Sequence, residues 1–106
     1  MTKLREMPDG HADAILEDFV REIQNEVSLP DTTVEALARY VVLGLQPGGF
    51  LTAVLSNDLT QAVLRADDNN KAVLPELVSY IWMNLPAQCW GSPKAVLLWE
   101  GLEVSA

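Results

Sequence analysis

Chain breakers recur so closely along this sequence that no apolar run is left long enough to build one long helix. Pro30, Pro47, Pro75, Pro86 and Pro93, with Gly44, Gly48-Gly49, Gly91 and Gly101, cut it into short pieces. Proline lacks the amide a helix interior needs and clashes with the preceding turn, whereas glycine admits backbone conformations that end helices. Residues 40–57 and 77–93 carry no charge, but Pro47-Gly48-Gly49 divides the first and Pro86 with Gly91 divides the second. Neither keeps the roughly 20 continuous apolar residues of a membrane span.

Between the breakers the apolar period is helical. Ala12, Ile15, Leu16, Phe19, Val20, Ile23 and Val27 recur at spacings of three and four, which predicts a first helix from Asp9 or Gly10 to Val27. Pro30 stops and restarts the chain. Asp31 or Thr32 is expected to cap a second helix, apolar on most sides and therefore central, that Gly44 ends. A third helix is expected from Phe50 to Ala66. "ADDNN" at 66–70 breaks it, and a fourth follows to Leu85 that starts either at Lys71 or at Pro75, with 71–74 then forming a separate turn. Ser92-Pro93 starts a short fifth helix that Gly101 closes. Val41-Val42-Leu43 and Val96-Leu97-Leu98 are the β-friendly triplets, and both sit inside helical patterns. The expected fold is all-α: one domain over residues 1–106, a compact bundle of four to five helices, with residues 1–8 disordered.

Charge is placed unevenly. The chain carries −8, and residues 6–35 hold nine acids against the single base Arg21. At 100° per residue, Asp13, Glu17, Asp18, Glu22 and Glu26 fall opposite the apolar stripe of the first helix. These five are the candidate partner-binding residues, because carboxylates at i, i+4 stand roughly 6 Å apart, comparable to phosphates along nucleic acid. The competing reading is a solvated face that keeps an apolar chain in solution. No basic patch exists to follow a phosphate backbone, so direct nucleic-acid binding is not expected. Hydrophobic residues make up 49% of the 106, and apolar surface in excess of the core tends to become an interface. A homodimer through the second, the fourth or the C-terminal helix is expected.

Little in the chain suggests catalysis. Ser56-Asn57-Asp58 sits in the third helix pattern with Arg65 two turns beyond Asp58. Asn57, Asp58 and Arg65 are candidates for a ligand site or, with more weight, a structural polar network or solvated stripe. Cys89 and His11 are the one thiol and the one imidazole, and a structural thiol is the expected role of Cys89. No metal site, cofactor or catalytic residue is expected. Trp82, Trp90 and Trp99 are expected to fill the core, the alternative being a pocket or an interface anchor. The lone cysteine and the lack of a signal-peptide pattern point to the cytoplasm.

From Tyr40 to Trp99, with "PGGFL", "VLSNDL", "RADDNN" and "LPAQCWGS", the chain resembles short uncharacterised proteins of phages, prophages and environmental bacteria. The resemblance implies a small phage-related protein that binds and modulates a host protein. Together these features favour a non-enzymatic protein-binding module, an inhibitor or modulator of a basic, nucleic-acid-binding partner. The alternatives are a small-molecule or enzymatic module using Asn57, Asp58 and Arg65, and a structural subunit of an oligomer.

Overall fold

The computed structural model describes residues 2–6 and 11–104. It is all-α: α1 His11–Glu26, α2 Asp31–Leu43, α3 Gly49–Leu55, α4 Leu59–Arg65, α5 Asp68–Ala72, α6 Leu74–Asn84 and α7 Pro93–Leu98. Short 3-10 turns lie at Leu4–Glu6 and Ala87–Cys89, and the two-residue strands β1 Thr2–Lys3 and β2 Glu103–Val104 pair antiparallel. The radius of gyration, 13.4 Å, is close to the about 13 Å of a compact domain this long.

The second helix is central, as its composition demands. Val34, Leu37, Ala38, Tyr40, Val41 and Val42 of α2 are all buried. Pro30, not Asp31 or Thr32, stands at the N-cap, where its carbonyl accepts the Val34 N–H at 3.0 Å. Gly44 closes α2 in the left-handed region, at φ 73°. α1 lies along α2 and buries Ile23 completely, with Leu16, Phe19, Val20 and Val27 half-covered against the core. The expected start of this helix at Asp9 or Gly10 falls outside the described residues.

The third helix departs from expectation. Phe50 to Ala66 is not continuous: α3 ends at Leu55 and α4 begins at Leu59. Asn57 takes φ 64°, a left-handed conformation that asparagine tolerates better than most residues and that no α-helix can pass through. Asp58 then caps α4 by accepting the Gln61 N–H at 3.2 Å. The apolar period crosses the break, which explains why it reads as one helix. "ADDNN" likewise starts a helix: Asp67 accepts from Asn70 N–H at 2.8 Å and caps α5. Splitting the third helix and adding α5 raises the five helices read from the sequence to seven among the described residues, five of them with seven or more residues.

The segment after α6, residues 85–102, has only the six-residue α7 and a 3-10 turn, and is fastened to α2 by polar bonds. The Tyr40 hydroxyl donates to the Cys89 carbonyl at 2.7 Å, and the Trp99 indole N–H donates to the carbonyls of Tyr40 and Val41 at 3.0 and 3.1 Å. Gln46 Nε2 reaches the Val96 carbonyl at 2.9 Å. Ser92 caps α7 by accepting from Ala95 N–H at 3.1 Å, as Ser92-Pro93 predicts. Gly44 and Gly101 let the backbones touch. A Cβ on Gly101 would stand 2.6 Å from the Val42 carbonyl oxygen, and its φ of 97° is one that L side chains rarely adopt.

Thr2–Glu6 lie within the stretch expected to be disordered, and the structure places them against the C-terminal strand. Thr2 pairs with Val104 and Lys3 with Glu103, the Leu4 N–H donates to the Leu102 carbonyl at 2.8 Å, and Leu4 is buried. Lys3 Nζ is 3.0 Å from Glu100 and 3.2 Å from Glu103. These contacts raise the Lys3 ammonium, chiefly through its bond to Glu100, and lower the Glu100 carboxylate, chiefly through its bond to Lys3.

Two substitutions check this account. Tyr40→Phe strands the buried Cys89 carbonyl without its donor, at a cost of about 1–3 kcal/mol, so the thermal midpoint falls by several degrees. Gly101→Ala strains a positive φ against packed backbone and lowers the midpoint further than Tyr40→Phe. Thermal scans of the two variants beside the wild type decide both.

Candidate functional site

Three surface features compete for a role: the acidic face of α1, the Ser56–Asp58 corner and the outer face of α6.

On α1, Asp13, Glu17, Asp18, Glu22 and Glu26 are all exposed. Asp18 meets Arg21 at 3.2 Å, with both side chains largely in water, so the pair contributes little. Beside this face runs a shallow groove of about 360 Å³ between α1 and α2, where Arg21 and Arg39 stand among Glu17, Glu35, Leu16 and Val20. The acidic surface is therefore interrupted by two cations on its α2 side.

At the corner, Ser56 is buried while Asn57 and Asp58 are exposed. Asp58 acts as the helix cap described above. The structure does not gather Asn57, Asp58 and Arg65 into one cluster. Arg65 Nε donates to Gln61 Oε1 at 3.1 Å, and its guanidinium lies over Gly49, where a Cβ would stand 2.6 Å from Nη1. Asn57 and Asp58 instead line an apolar cleft of about 170 Å³ whose other walls come from Val54, Leu59, Ala62, Leu74, Val78, Ile81 and Trp90.

That cleft opens on the outer face of α6. Leu77, Tyr80 and Ile81 face inward and are buried, while Val78 is 47%, Trp82 72% and Met83 78% exposed. A second groove, of about 420 Å³, shares Asn57, Val78 and Trp90 with the cleft and adds Ser79, Trp82 and Met83. The Trp82 and Trp90 rings meet edge to face, with centroids 5.6 Å apart and planes at 76°. The indole N–H of Trp90 is buried and has no acceptor among the described residues. Leu59, on the first turn of α4, is 70% exposed at the same cleft. Of the three tryptophans expected in the core, Trp99 and Trp90 are partly buried, but Trp82 stands in solvent. The apolar residues Leu77, Val78 and Tyr80–Met83, interrupted only by Ser79, were the sequence signal, since a helix apolar on nearly all sides in so small a domain cannot hide every face.

Cys89 is completely buried, and burial pushes its thiol up to about 12, the reverse of what a nucleophile requires. His11 is exposed at the start of α1. Among the described residues, no three His, Cys, Asp or Glu side chains form a group that could hold a metal ion, and no helix is long and apolar enough to cross a membrane.

No family model, curated protein or solved structure matches this chain. Any functional reading therefore rests on the geometry above.

Tyr80 and Cys89, both buried residues, make stability fall at high pH. Tyr80 is pushed up to about 12, first by burial and then by the nearby Glu22 and Glu26 carboxylates, and Cys89 rises from 9.0 by burial. Folding favours the protonated form of both, so their contribution is complete below about pH 9 and disappears as pH climbs toward about 12. Urea denaturation should give a constant unfolding free energy from about pH 7 to 8.5 and a falling one above about pH 9. The Cys89 thiol should label at the rate of global unfolding.

Proposed function

We propose that this protein is a protein-binding module, not an enzyme, and that its contact surface is the outer face of α6 with the adjoining cleft. One observation carries the reading. Trp82, Met83, Val78 and Leu59 stand exposed around a concave apolar surface, whereas other exposed large apolar side chains, Leu45, Leu64, Leu97 and Leu98, line no cleft that is so largely apolar and so enclosed. Monomeric proteins seldom leave such a patch uncovered, and tryptophan is enriched among the anchors of protein interfaces. Asn57 and Asp58 then serve as a polar rim to an apolar centre, the usual anatomy of an interface.

A second reading concerns α1. Its five exposed carboxylates, of which Asp18 alone has a cation at salt-bridge distance among the described residues, suit a basic partner. Its narrower form is a phage-related inhibitor or modulator of a nucleic-acid-binding protein, acting in the cytoplasm.

Both readings are tested by placing a benzophenone photo-crosslinker at position 82 or at position 22 in the protein's native cells. The first reading expects a protein adduct from position 82, and the absence of one overturns it. The second expects an adduct from position 22. Changing Glu17, Asp18 and Glu26 to Gln or Asn should slow capture there roughly tenfold or more, the scale on which charge steers association. Unchanged capture overturns the second reading alone.

A further inference from the structure

Leu74, Val78 and Trp82 stand four residues apart on α6, so they form one ridge along the helix. Val78 is at its middle. Leu74 lines the cleft at one end, and Trp82 projects at the other. We propose that the occupant of this face is a second copy of the same chain, with the two α6 helices crossing antiparallel about a twofold axis at Val78. Each Trp82 then enters the cleft beside Leu74 of the other copy. The proposal rests on the reading of the α6 face as the contact surface and names what covers it.

Self-complementarity is the first argument. A twofold contact requires one patch to carry both knob and hole. At 1.5 Å per residue, Trp82 and Leu74 each lie about 6 Å along the helix from Val78, on opposite sides. Rotation about Val78 therefore superposes the knob of one copy on the hole of the other. Area is the second argument. The exposed parts of Leu59, Val78, Trp82 and Met83 come to roughly 550 Å², against the about 800 Å² per partner of a standard interface. Leu74 and Trp90, both partly exposed beside them, make up much of the difference. Charge is the third. Each chain carries −8, so two copies attract only where charge is sparse. Glu76, the one acid on α6, lies across the helix from Val78 in a groove shared with Glu26 of α1 and bordered by Met83, and Asp58 at the rim of the cleft is the carboxylate each copy brings to the contact. The acidic faces of both α1 helices stay in solvent.

Sedimentation velocity between about 1 and 200 µM should show a species of twice 11.7 kDa that tightens as salt rises from about 0.05 to 0.5 M, because screening relieves the repulsion. The opposite salt response belongs to a basic partner. Val78→Cys should cross-link to itself on oxidation. Leu74→Cys and Trp82→Cys should each fail alone, the paired positions being more than about 12 Å apart, and should link when mixed. Cys89, fully buried, does not compete. Val78→Arg should weaken dimerisation ~100-fold while leaving the circular dichroism and thermal midpoint of the monomer unchanged.

A monomer throughout the concentration range overturns the proposal. So does a dimer that Val78→Arg leaves intact and Val78→Cys does not cross-link, which would move the contact to another face, such as exposed Leu97 and Leu98 of α7. A monomer whose position 82 cross-links to a different protein overturns the second copy and leaves the contact surface standing. Neither dimer nor adduct overturns both.

Discussion

The fold depends on the burial of α2, and within α2 on Tyr40. Its ring is wholly buried, its hydroxyl holds the Cys89 carbonyl, and its own carbonyl takes the Trp99 indole. A phenol in that position is held neutral well above its ordinary titration range, because burial penalises the charged form. The consequence is a polar bridge inside an apolar core. Residues 85–102 have one six-residue helix and cannot bury enough apolar area to hold themselves in place. Directed hydrogen bonds to α2 provide what packing lacks, and their loss would leave buried acceptors unpaired.

A buried link between Thr33 and Asn70 at 2.7 Å performs the same service for α5, five residues long and capped by Asp67. With α2 enclosed in this way, α6 is covered on the side that carries Leu77, Tyr80 and Ile81, while the side that carries Val78 and Trp82 meets Trp90 and the cleft walls and is otherwise exposed. In a chain of 106 residues the surface is large relative to the volume, so some apolar area must remain outside. Here Leu59, Val78, Trp82 and Met83 gather part of it around one concave surface, which gives that part a directional role.

The sequence shows clearly where periodicity and breakers agree. α2, α6 and α7 lie close to where the apolar spacing, Gly44, Pro75 and Ser92-Pro93 put them, although α6 starts one residue before Pro75 and α7 ends at Leu98, short of the expected Gly101. The break at Asn57 was harder to see, since the apolar spacing of α3 continues in phase into α4. The available clue was chemical: Ser, Asn and Asp in succession all compete for backbone hydrogen bonds and favour caps. The pairing of Thr2–Lys3 with Glu103–Val104 leaves no local trace, for a two-residue strand has no period. As for the site, Asn57 and Asp58 are visible as residues, but their cleft is assembled from α3, α4, α6 and Trp90, and no linear spacing encodes it. The exposure of Trp82 follows from which flank of α6 the other helices leave uncovered, a property of the assembled fold.

The pairing of the two ends also shapes how the molecule comes together. Lys3 and Glu103 are separated by 100 positions, so the contact closes a loop of nearly the whole chain. Closing so large a loop carries an entropic cost that only a mostly formed structure can offset. The α1–α2 pair is local and suited to form early, whereas the end-to-end ladder, held by a few backbone bonds and ion pairs near solvent, is the last piece to settle. The same asymmetry runs in reverse. A fraying of this ladder should uncover Leu4 while the α2 core stays intact, so a readily opened segment adjoins a protected one where the Leu102 N–H bonds to the Val42 carbonyl.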